Sequence, residues 1–559
     1  MTRVIGKVSA TEKSPSTCDD FAFWLTDDTI LSPFDIVRVH NASDDSDTYG
    51  VVQDILHITD SPSHISNYVS SDFGDIYAEP MTRRLSLSLA KCSVIHNTKE
   101  NFMPLIDGAS VYHTNEEDIH VALGLDAIPE ESSIPAGLLR TSQGVAVPIH
   151  YHGDFIIGPE GAHINVSGIS GLATKTSYIM FLLKSIQHRL ADSVSIIIMN
   201  VKGDDLLHID QPNERISEAQ RKEWEILNVP CEPFQRVSYF YPYGNKKDSF
   251  FANTAIAKKA LERQVLSGTA SNYVYTFEHD VGKLPMLFAN VDDPNWTIGS
   301  ILHEIEDGDS FRGIESWRDL KDALHDFAGK EREKASRAAK EIHIQSWKRF
   351  SRLINNSVND SIFQNALSDS PERRQTHLSD AIQNIEGGQV YVVDIAGLNE
   401  QLQCLVFGDV IQSVYGLKHG DYDDHTRRTK KPVPKRIVIF VDELNKYAPT
   451  TVGKSSPLLA DLLEITERGR SEQVILFSAE QFRSAVHERI KGNCGTNVYG
   501  RTNAIEISRP DYRFVPKVYA NMMTRLQKGD LIVQHPIFKT LLRVTFPYPS
   551  YCQGGGKNG

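Results

Sequence analysis

Residue types that could bind phosphate are concentrated in one stretch, His163-Ile-Asn-Val-Ser-Gly-Ile-Ser-Gly-Leu-Ala-Thr-Lys-Thr-Ser177. A β-prone run enters a glycine-containing turn, and Lys175-Thr-Ser177 then opens an amphipathic segment that extends from Tyr178 to Ile186. In a phosphate-binding loop, backbone N–H groups converge on phosphate oxygens, a lysine reaches the β and γ oxygens, and a hydroxyl holds Mg²⁺. The stretch therefore predicts a phosphate-binding loop at the start of a helix.

This loop departs from the usual G-x-x-x-x-G-K-S/T frame. Counting back from Lys175 puts Ile169 and Thr174 at the glycine positions, and counting forward from Gly168 puts the lysine one step late. An ordinary strand–turn–helix with glycines for tight packing is the alternative, and the loop alone leaves both open. On the first interpretation, the nucleotide contacts are Gly168, Ser170, Gly171, Leu172, Ala173, Thr174, Lys175, Thr176 and Ser177.

A second candidate site lies at the end of Arg436-Ile-Val-Ile-Phe-Val-Asp442-Glu443. A fully apolar run of this kind is typical of a buried parallel strand, and open α/β sheets bind ligands at the carboxyl ends of such strands. Asp442 would hold Mg²⁺ together with Thr176, and Glu443 would orient and deprotonate the attacking water. The alternative is a strand followed by a helix-starting Asp-Glu pair. The two motifs together favour hydrolysis of ATP with Mg²⁺.

Three further residues could act on the terminal phosphate. The apolar run Gln473–Ser478 predicts another buried strand, and Gln481 follows it at a position where an amide can sense the γ-phosphate. Arg468 and Arg470 precede this strand and could stabilise transition-state charge in the same or a neighbouring subunit. Taken singly, each arginine is more simply a surface residue.

Other strand predictions complete an α/β core. Ser193–Val201 and Gln389–Gly397 predict buried strands, and Met286–Ala289 predicts a short one. The first run ends in Lys202-Gly-Asp-Asp205, whose carboxylates are interpreted as caps of the next helix rather than as part of a ligand crevice.

Composition limits the class of protein. The chain has 559 residues and a net charge of −13, so it can hold two to four domains, and DNA contact would need a local patch or pore lining. Widely scattered cysteines predict reduced residues without paired metal spacing. These are Cys18, Cys92, Cys231, Cys404, Cys494 and Cys552. Without an apolar run long enough to span a bilayer and without a leader, we expect a soluble cytoplasmic protein.

Changes in pattern along the chain predict its domains. Short alternating runs separated by turns in residues 1–150 predict a β-barrel or sandwich. Residues 151–290 and 385–545 predict the α/β core, residues 291–384 a helical insertion, and residues 546–559 a tail. The basic helical segment 330–352 and the charged loop 422–435 could touch DNA, although a solvated face and an exposed loop are the alternatives.

The order of these motifs resembles the HerA-type ATPases of the HerA/FtsK group. The resemblance covers most of the chain, and its most specific parts are the acidic strand end and the arginine–glutamine blocks. The carrying segments are Tyr49-Gly-Val-Val-Gln-Asp54, His163-Ile-Asn-Val-Ser-Gly-Ile-Ser-Gly171, Val441-Asp-Glu-Leu-Asn-Lys-Tyr-Ala-Pro449, Arg468-Gly-Arg470, Ser478-Ala-Glu-Gln481, Leu526-Gln-Lys-Gly-Asp-Leu-Ile-Val533 and Phe546-Pro-Tyr-Pro549.

The resemblance implies a RecA-like P-loop ATPase core with a helical insertion and an N-terminal β-barrel. It implies a homohexamer with ATP bound between subunits, double-stranded DNA or a partner in a central channel, and a C-terminal tail near a nucleotide site. Bacterial relatives of this type pair with a nuclease or a sirtuin-type NAD-cleaving effector in antiphage defence, and we expect the effector to dock on the barrel. A DNA end-resection motor in repair, and an ATP-switched scaffold that regulates a separate effector without translocation, are the alternatives. A secretion or conjugation motor is a weaker one.

Overall fold

The computed structural model describes residues 3–77, 85–169, 174–291, 293, 296–329, 337–422, 425–451 and 456–554. The chain divides into two compact units. Unit 1 comprises Met1–His152 and Arg501–Thr545, and unit 2 comprises Gly153–Gly500 and Phe546–Gly559.

The strands are numbered along the chain. They are β1 Val4–Val8, β2 Asp20–Leu25, β3 Ile36–Asn41, β4 Ser46–Thr59, β5 Ser86–Asn97, β6 Ser110–His113, β7 Ser133–Arg140, β8 Ala146–His152, β9 Ile164–Ser167, β10 Val194–Asn200, β11 Val237–Pro242, β12 Ala270–Tyr273, β13 Tyr275–Thr276, β14 Phe363–Gln364, β15 Gln375–Thr376, β16 Val390–Asp394, β17 Arg436–Asp442, β18 Val474–Glu480, β19 Thr496–Tyr499, β20 Asp530–Gln534 and β21 Leu542–Thr545.

The α-helices are numbered in the same way. They are α1 His64–Ser70, α2 Glu116–Leu123, α3 Thr174–Leu190, α4 Glu218–Ile226, α5 Lys258–Leu266, α6 Phe277–Asp280, α7 Thr297–Asp307, α8 Trp317–Ala328, α9 Arg337–Glu341, α10 Ile344–Val358, α11 Leu378–Gln383, α12 Glu400–His419, α13 Pro457–Glu472, α14 Glu488–Gly492, α15 Ala504–Ile507 and α16 Lys517–Met523.

Unit 1 is built on a closed antiparallel barrel with strand order β1-β2-β5-β4-β3-β6. Its inward-facing side chains, such as Ile5, Phe23 and Val39, are fully buried, as expected for strands with one face toward a core. Four further strands of the same unit pair antiparallel in the order β20-β21-β7-β8. The barrel confirms the N-terminal prediction, and the short strand β6, which the sequence did not reveal, closes it.

Unit 2 contains a parallel sheet with strand order β15-β12-β11-β16-β10-β17-β18-β9-β19. Every residue of β10 and β18 is buried, because helices cover both faces of a sheet of this kind. The strands β10, β17 and β18 lie within two residues of their predicted bounds, and β16 ends three residues before the predicted Gly397. The α/β class is therefore confirmed.

The region between residues 291 and 384 is mainly helical, as the sequence predicts. Its helices pack around the buried side chains of Trp317, Leu320, Trp347 and Ile354, and this cluster is continuous with the core beneath the sheet. The predicted strand at Met286–Ala289 is wrong, because Val281–Phe288 forms a 3₁₀ helix. An isolated apolar run does not distinguish a strand from a short buried helix.

Two other sequence expectations concern boundaries and membranes. The sequence predicts residues 501–545 as part of the core, but they group with the N-terminal residues in unit 1, whereas the tail groups with unit 2. The domain boundaries drawn from the sequence stay predictions. Among the described helices, none combines the length and apolarity needed to cross a bilayer.

Candidate active site

The carboxyl ends of three neighbouring parallel strands form the wall of a cavity in unit 2. Strand β17 lies between β10 and β18, with Met199 opposite Val441 and Asp442 opposite Ala479. Helix α3 begins beside these ends, after the loop that follows β9. The cavity has a volume of about 480 Å³, and its lining is Ile169, Thr174, Lys175, Thr176, Ser177, Asn200, Val201, Lys202, Asp205, Leu206, Asp442, Glu443, Gln481, Tyr551 and Gln553.

Asp442 and Thr176 meet in this cavity as the sequence predicts. The Thr176 hydroxyl donates a hydrogen bond of 3.1 Å to Oδ2 of Asp442, whose side chain is almost fully buried. A hydroxyl and a carboxylate are oxygen ligands of the kind that Mg²⁺ takes beside a phosphate-binding loop. The donor set therefore fits a magnesium ion.

Glu443 follows at the end of β17 in the left-handed region of backbone conformation, with φ of 59°. Non-glycine residues in this region are uncommon and often lie at functional sites. Burial acts to raise the pKa of the carboxyl group, but the ammonium groups of Lys446 and Lys202 outweigh it, and the pKa is lowered. Their Nζ atoms lie 2.6 Å from Oε2 and 3.3 Å from Oε1. Glu443 is therefore ionised at neutral pH and able to accept a proton.

Lys175 lies in the first turn of α3 and is buried. Its Nζ atom has no hydrogen-bond partner among the described residues. Burial lowers the pKa of the ammonium group, while the carboxylates of Asp442 and Glu480 act in the opposite direction. A buried cation without a partner is costly, and such groups in folded proteins call for an explanation such as a missing ligand. An anion in the cavity would supply the partner.

The loop before Lys175 is described only in part. Gly168 has φ of 153°, which favours glycine, and its N–H donates to the Glu480 carbonyl at 3.2 Å. Thr174 and Ser177 lie with Lys175 in the first turn of α3, where the helix N-terminus favours negative charge. The predicted contacts Ser170, Gly171, Leu172 and Ala173 lie outside the described residues.

Gln481 lines the cavity, and the preceding residue, Glu480, is a buried carboxylate whose charge acts on Lys175 and which the sequence did not reveal. Glu480 is fully buried at the end of β18, and neither carboxylate oxygen has a hydrogen-bond partner among the described residues. Burial raises its pKa to about 7, against the lowering effect of the Arg483 guanidinium. Glu480 follows the apolar run Gln473–Ser478, and its residue type alone gave no signal of this environment.

Arg468 and Arg470 are not among the residues that line the cavity of their own chain. Arg468 is exposed and pairs with Glu464 at 3.6 Å, and Arg470 donates to the Glu160 carbonyl at 3.2 Å. The chain itself does not bring either guanidinium to the candidate phosphate position. Their assignment stays a prediction.

Lys202 and Asp205 line the cavity, which makes the capping interpretation of this segment wrong. In the described chain, the next helix after Asp205 is α4, which begins at Glu218 and is capped by Ser217. The Lys202 ammonium lies 3.1 Å from Oδ2 of Asp442. The basic residue that follows the strand was available in the sequence, but its type alone did not show where it points.

The C-terminal tail reaches the same cavity. Trp224 donates its indole N–H to the Tyr548 carbonyl at 2.9 Å, and the Cys552 N–H donates to the Gln211 carbonyl at 2.8 Å. Anchored in this way, the tail places Gln553 so that its amide donates to the Ser177 hydroxyl at 3.1 Å.

A second polar cluster in unit 2 contains His279, Asp280 and His377, whose ligand atoms lie within 4.8 Å of one another. The two imidazole rings are stacked, with centroids 3.9 Å apart and an interplanar angle of 3°. Parallel rings direct their nitrogen lone pairs along parallel planes rather than toward one metal ion. The ammonium of Lys283 already lies 2.7 Å from Oδ1 of Asp280, so the cluster is an ion-pair network.

Comparisons with known proteins give distant structural matches. No protein-family model matches the sequence, and no curated protein matches it. An unbound form of TrwBΔN70, a bacterial conjugative coupling protein, is 12% identical with a TM-score of 0.41, over 75% of this chain and 91% of that chain. The plasmid coupling protein TrwB in complex with ADP and Mg²⁺ is 12% identical with a TM-score of 0.39, over 70% and 87% of the two chains.

A shorter match is the genome packaging NTPase B204 from Sulfolobus turreted icosahedral virus 2 in complex with ATPγS. It is 14% identical with a TM-score of 0.22, over 30% of this chain and 71% of that chain. Similarity at this level does not define a family.

Proposed function

We propose that this chain is a Mg²⁺-dependent ATPase with its catalytic site in the cavity at the ends of β10, β17 and β18. The observation that carries this proposal is the buried, unpartnered ammonium of Lys175 beside the Thr176–Asp442 pair and the ionised Glu443. Phosphoryl transfer to water requires a cation that binds phosphate, two oxygen ligands that hold a metal ion, and a carboxylate that orients water.

Each residue then has a defined role. Lys175 and the amides at the start of α3 bind the phosphates, and Gln481 contacts the terminal phosphate. Thr176 and Asp442 would hold Mg²⁺, which when bound neutralises charge on the phosphate oxygens. Glu443 orients a water molecule and accepts its proton, because its carboxyl group is ionised at neutral pH.

We further propose a homohexamer in which Arg468 or Arg470 acts on the site of a neighbouring subunit. Two observations support action in trans: neither residue lines the cavity of its own chain, and Arg468 is directed to solvent with 75% of its side chain exposed. An arginine supplied by a neighbour stabilises transition-state charge only in the assembled ring.

The resemblance to HerA-type ATPases supports a more specific role. The hexamer would translocate double-stranded DNA through its central channel, and a nuclease or sirtuin-type NAD-cleaving effector would dock on the N-terminal barrel in antiphage defence. The excursion between β4 and β5 supports a docking surface, because it exposes a concentration of large apolar side chains. These are Ile65, Tyr68, Phe73, Ile76 and Tyr77.

Steady-state ATP turnover tests the proposal, with and without double-stranded DNA. We expect Lys175→Ala and Glu443→Gln to abolish turnover, since the first removes a phosphate contact and the second removes the base. The exposed ion pair of Lys247 and Glu372, whose charged atoms lie 3.1 Å apart, offers matched controls in Lys247→Ala and Glu372→Gln. These controls should keep parental turnover.

Two results would contradict parts of the proposal. If the parent chain neither binds nor hydrolyses ATP when DNA is present, the proposed ATPase function is excluded. Turnover that DNA does not stimulate, together with an effector complex that remains active with Glu443→Gln, would favour the ATP-switched scaffold over the translocase.

A further inference from the structure

Lys202 is a second cation in the candidate active site, and strand register places it there. Strand β10 pairs in parallel with β17, with Met199 opposite Val441. The chain therefore leaves β10 directly beside the end of β17. Lys202, two residues beyond the strand, places its Nζ atom 3.1 Å from Oδ2 of Asp442 and 3.3 Å from Oε1 of Glu443.

The ammonium shares an oxygen with the proposed metal site. Oδ2 of Asp442 accepts the hydrogen bond of Thr176 and also the ion pair of Lys202. Once Thr176 and Asp442 hold a divalent cation, the two positive charges compete for that oxygen. The ammonium of Lys202 is free to leave this oxygen, because it is a compact charge on a flexible four-carbon stem and 52% of the side chain is exposed.

A cavity that contains ATP offers the displaced ammonium a stronger partner. Lys202 lies on the cavity wall beside Glu443, where the attacking water and the terminal phosphate would meet. Phosphate oxygens carry more negative charge than one carboxylate, and a water-poor site strengthens the attraction. Among the described residues that line the cavity, Lys175 and Lys202 are the cations, and Lys202 is the one that contacts Glu443.

We propose that Lys202 is a catalytic residue that acts in cis. Without nucleotide it pairs with Asp442 and Glu443, and with MgATP bound its ammonium moves to an oxygen of the terminal phosphate. This inference rests on the proposed ATPase function and adds a residue that the phosphate-binding motifs do not include.

The step that Lys202 assists is the transfer of the terminal phosphoryl group to water. The water oxygen forms a bond to the γ-phosphorus while Glu443 takes the proton. The bond between this phosphorus and the bridging oxygen breaks, and its electron pair leaves with ADP. Lys202 transfers no proton, since its ammonium only stabilises the negative charge on the transferring group.

Three variants test this role. Lys202→Ala removes the charge, and Lys202→Arg keeps it. Lys446→Ala removes the other ion pair of Glu443, at 2.6 Å, without removing a residue that lines the cavity. The readouts are kcat and KM for MgATP, the Kd of a fluorescent ATP analogue, and the melting temperature, with Lys247→Ala as the control for an exposed lysine.

We expect Lys202→Ala to lower kcat by roughly 100-fold, the effect of removing one donor that acts on transition-state charge. The Kd of the analogue should change by less than about threefold, because the contact strengthens mainly in the transition state. Lys202→Arg should recover part of kcat. Since the side chain is half exposed, we expect the variants to fold, and Lys202→Gln repeats the comparison if the alanine variant melts early.

The contrary results are distinct. If Lys202→Ala keeps the parental kcat, with or without weaker binding of the analogue, the inference is overturned, but the proposed ATPase function is not affected. An equal loss in Lys446→Ala would also overturn it, because the effect would then act through Glu443. A parent chain that neither binds nor hydrolyses ATP would refute the proposed function, and this inference with it.

Discussion

Two groups of buried charges in unit 2 are organised in opposite ways. In the first group, Lys283 of the 3₁₀ helix Val281–Phe288 lies 2.7 Å from an oxygen of Asp280 and 2.7 Å from an oxygen of Asp409. The second oxygens of these carboxylates accept the Thr276 N–H at 2.7 Å and the Tyr275 hydroxyl at 3.0 Å. On the cavity wall, by contrast, Lys175 is buried without a hydrogen-bond partner among the described residues, and so is Glu480 at the end of β18.

This difference separates a structural network from a binding site. A buried ion pair is tolerated when each charge and each lone pair is satisfied, and the cluster around Lys283 meets that condition. A buried ammonium left without a partner costs stability, and proteins keep such groups where a ligand or a reaction uses them. Lys175 is therefore expected to respond to nucleotide, and Lys283 is not.

The largest expected effect is on the structural network. Lys283→Met leaves two buried carboxylates without their cation, so we expect it to destabilise unit 2 by about 3–5 kcal/mol, the usual cost of breaking a buried pair. Chemical denaturation measures this loss. A variant that unfolds at the parental midpoint would show that the network does not stabilise the fold.

Lys175→Met should have the opposite signature. We expect a loss of ATP turnover by roughly 100-fold or more, because the phosphate contact is gone. Without nucleotide, stability should be unchanged or about 1 kcal/mol higher, since an unpaired buried charge has been removed. Saturating MgATP should raise the melting temperature of the parent more than that of the variant. A stability loss as large as that of Lys283→Met would show that Lys175, like Lys283, belongs to a structural network rather than to a binding site.

Glu480→Gln should change the pH dependence of stability. The folded chain raises the pKa of Glu480 to about 7 from an ordinary value of 4.5, so folding is linked to a retained proton. Stability from this group is present below pH 4.5 and falls as the pH rises toward 7. We expect the variant to be more stable than the parent by about 1–3 kcal/mol at pH 8 and similar at pH 4.5. Parallel stability profiles would contradict the assignment.

The smallest effect is expected at His279. Hydrogen bonds to Asp280 and Asp380 raise its pKa to about 9 from 6.5, so its stabilising charge is fully present below pH 6.5 and lost as the pH rises through 9. His279→Gln should remove about 1 kcal/mol at pH 6 and little at pH 10, a value reduced for the partly exposed ring. Equal losses at both pH values would show that ring stacking, rather than charge, carries the contribution.

Several site residues were accessible from the sequence because their signals are local. The apolar run that ends at Asp442 and Glu443 predicts a buried strand with carboxylates at its ligand-binding end, and the structure places both in the cavity with Thr176. Lys175 was identified from the glycine–lysine–hydroxyl order despite the irregular frame. Each prediction needed only neighbouring residues.

Other residues were inaccessible because their environment comes from distant segments. Glu480 looks like the polar end of one more strand, and only the packing of β9, β17 and α3 around it leaves its carboxylate without a partner. Lys202 was overlooked because a charged turn after a strand can cap a helix or face a crevice. The order of strands in the sheet, which pairs β10 with β17, decides between them.

The sequence by itself determined the central strands β10, β16, β17 and β18 and which polar residues lie at their ends, because periodicity and turn chemistry act over a few residues. Tertiary structure alone decided which of those polar residues meet, which charges are paired and which are left open. Parallel strands are joined by long crossovers, so neighbours in the sheet are far apart in the chain, and burial and charge pairing become properties of the assembled sheet.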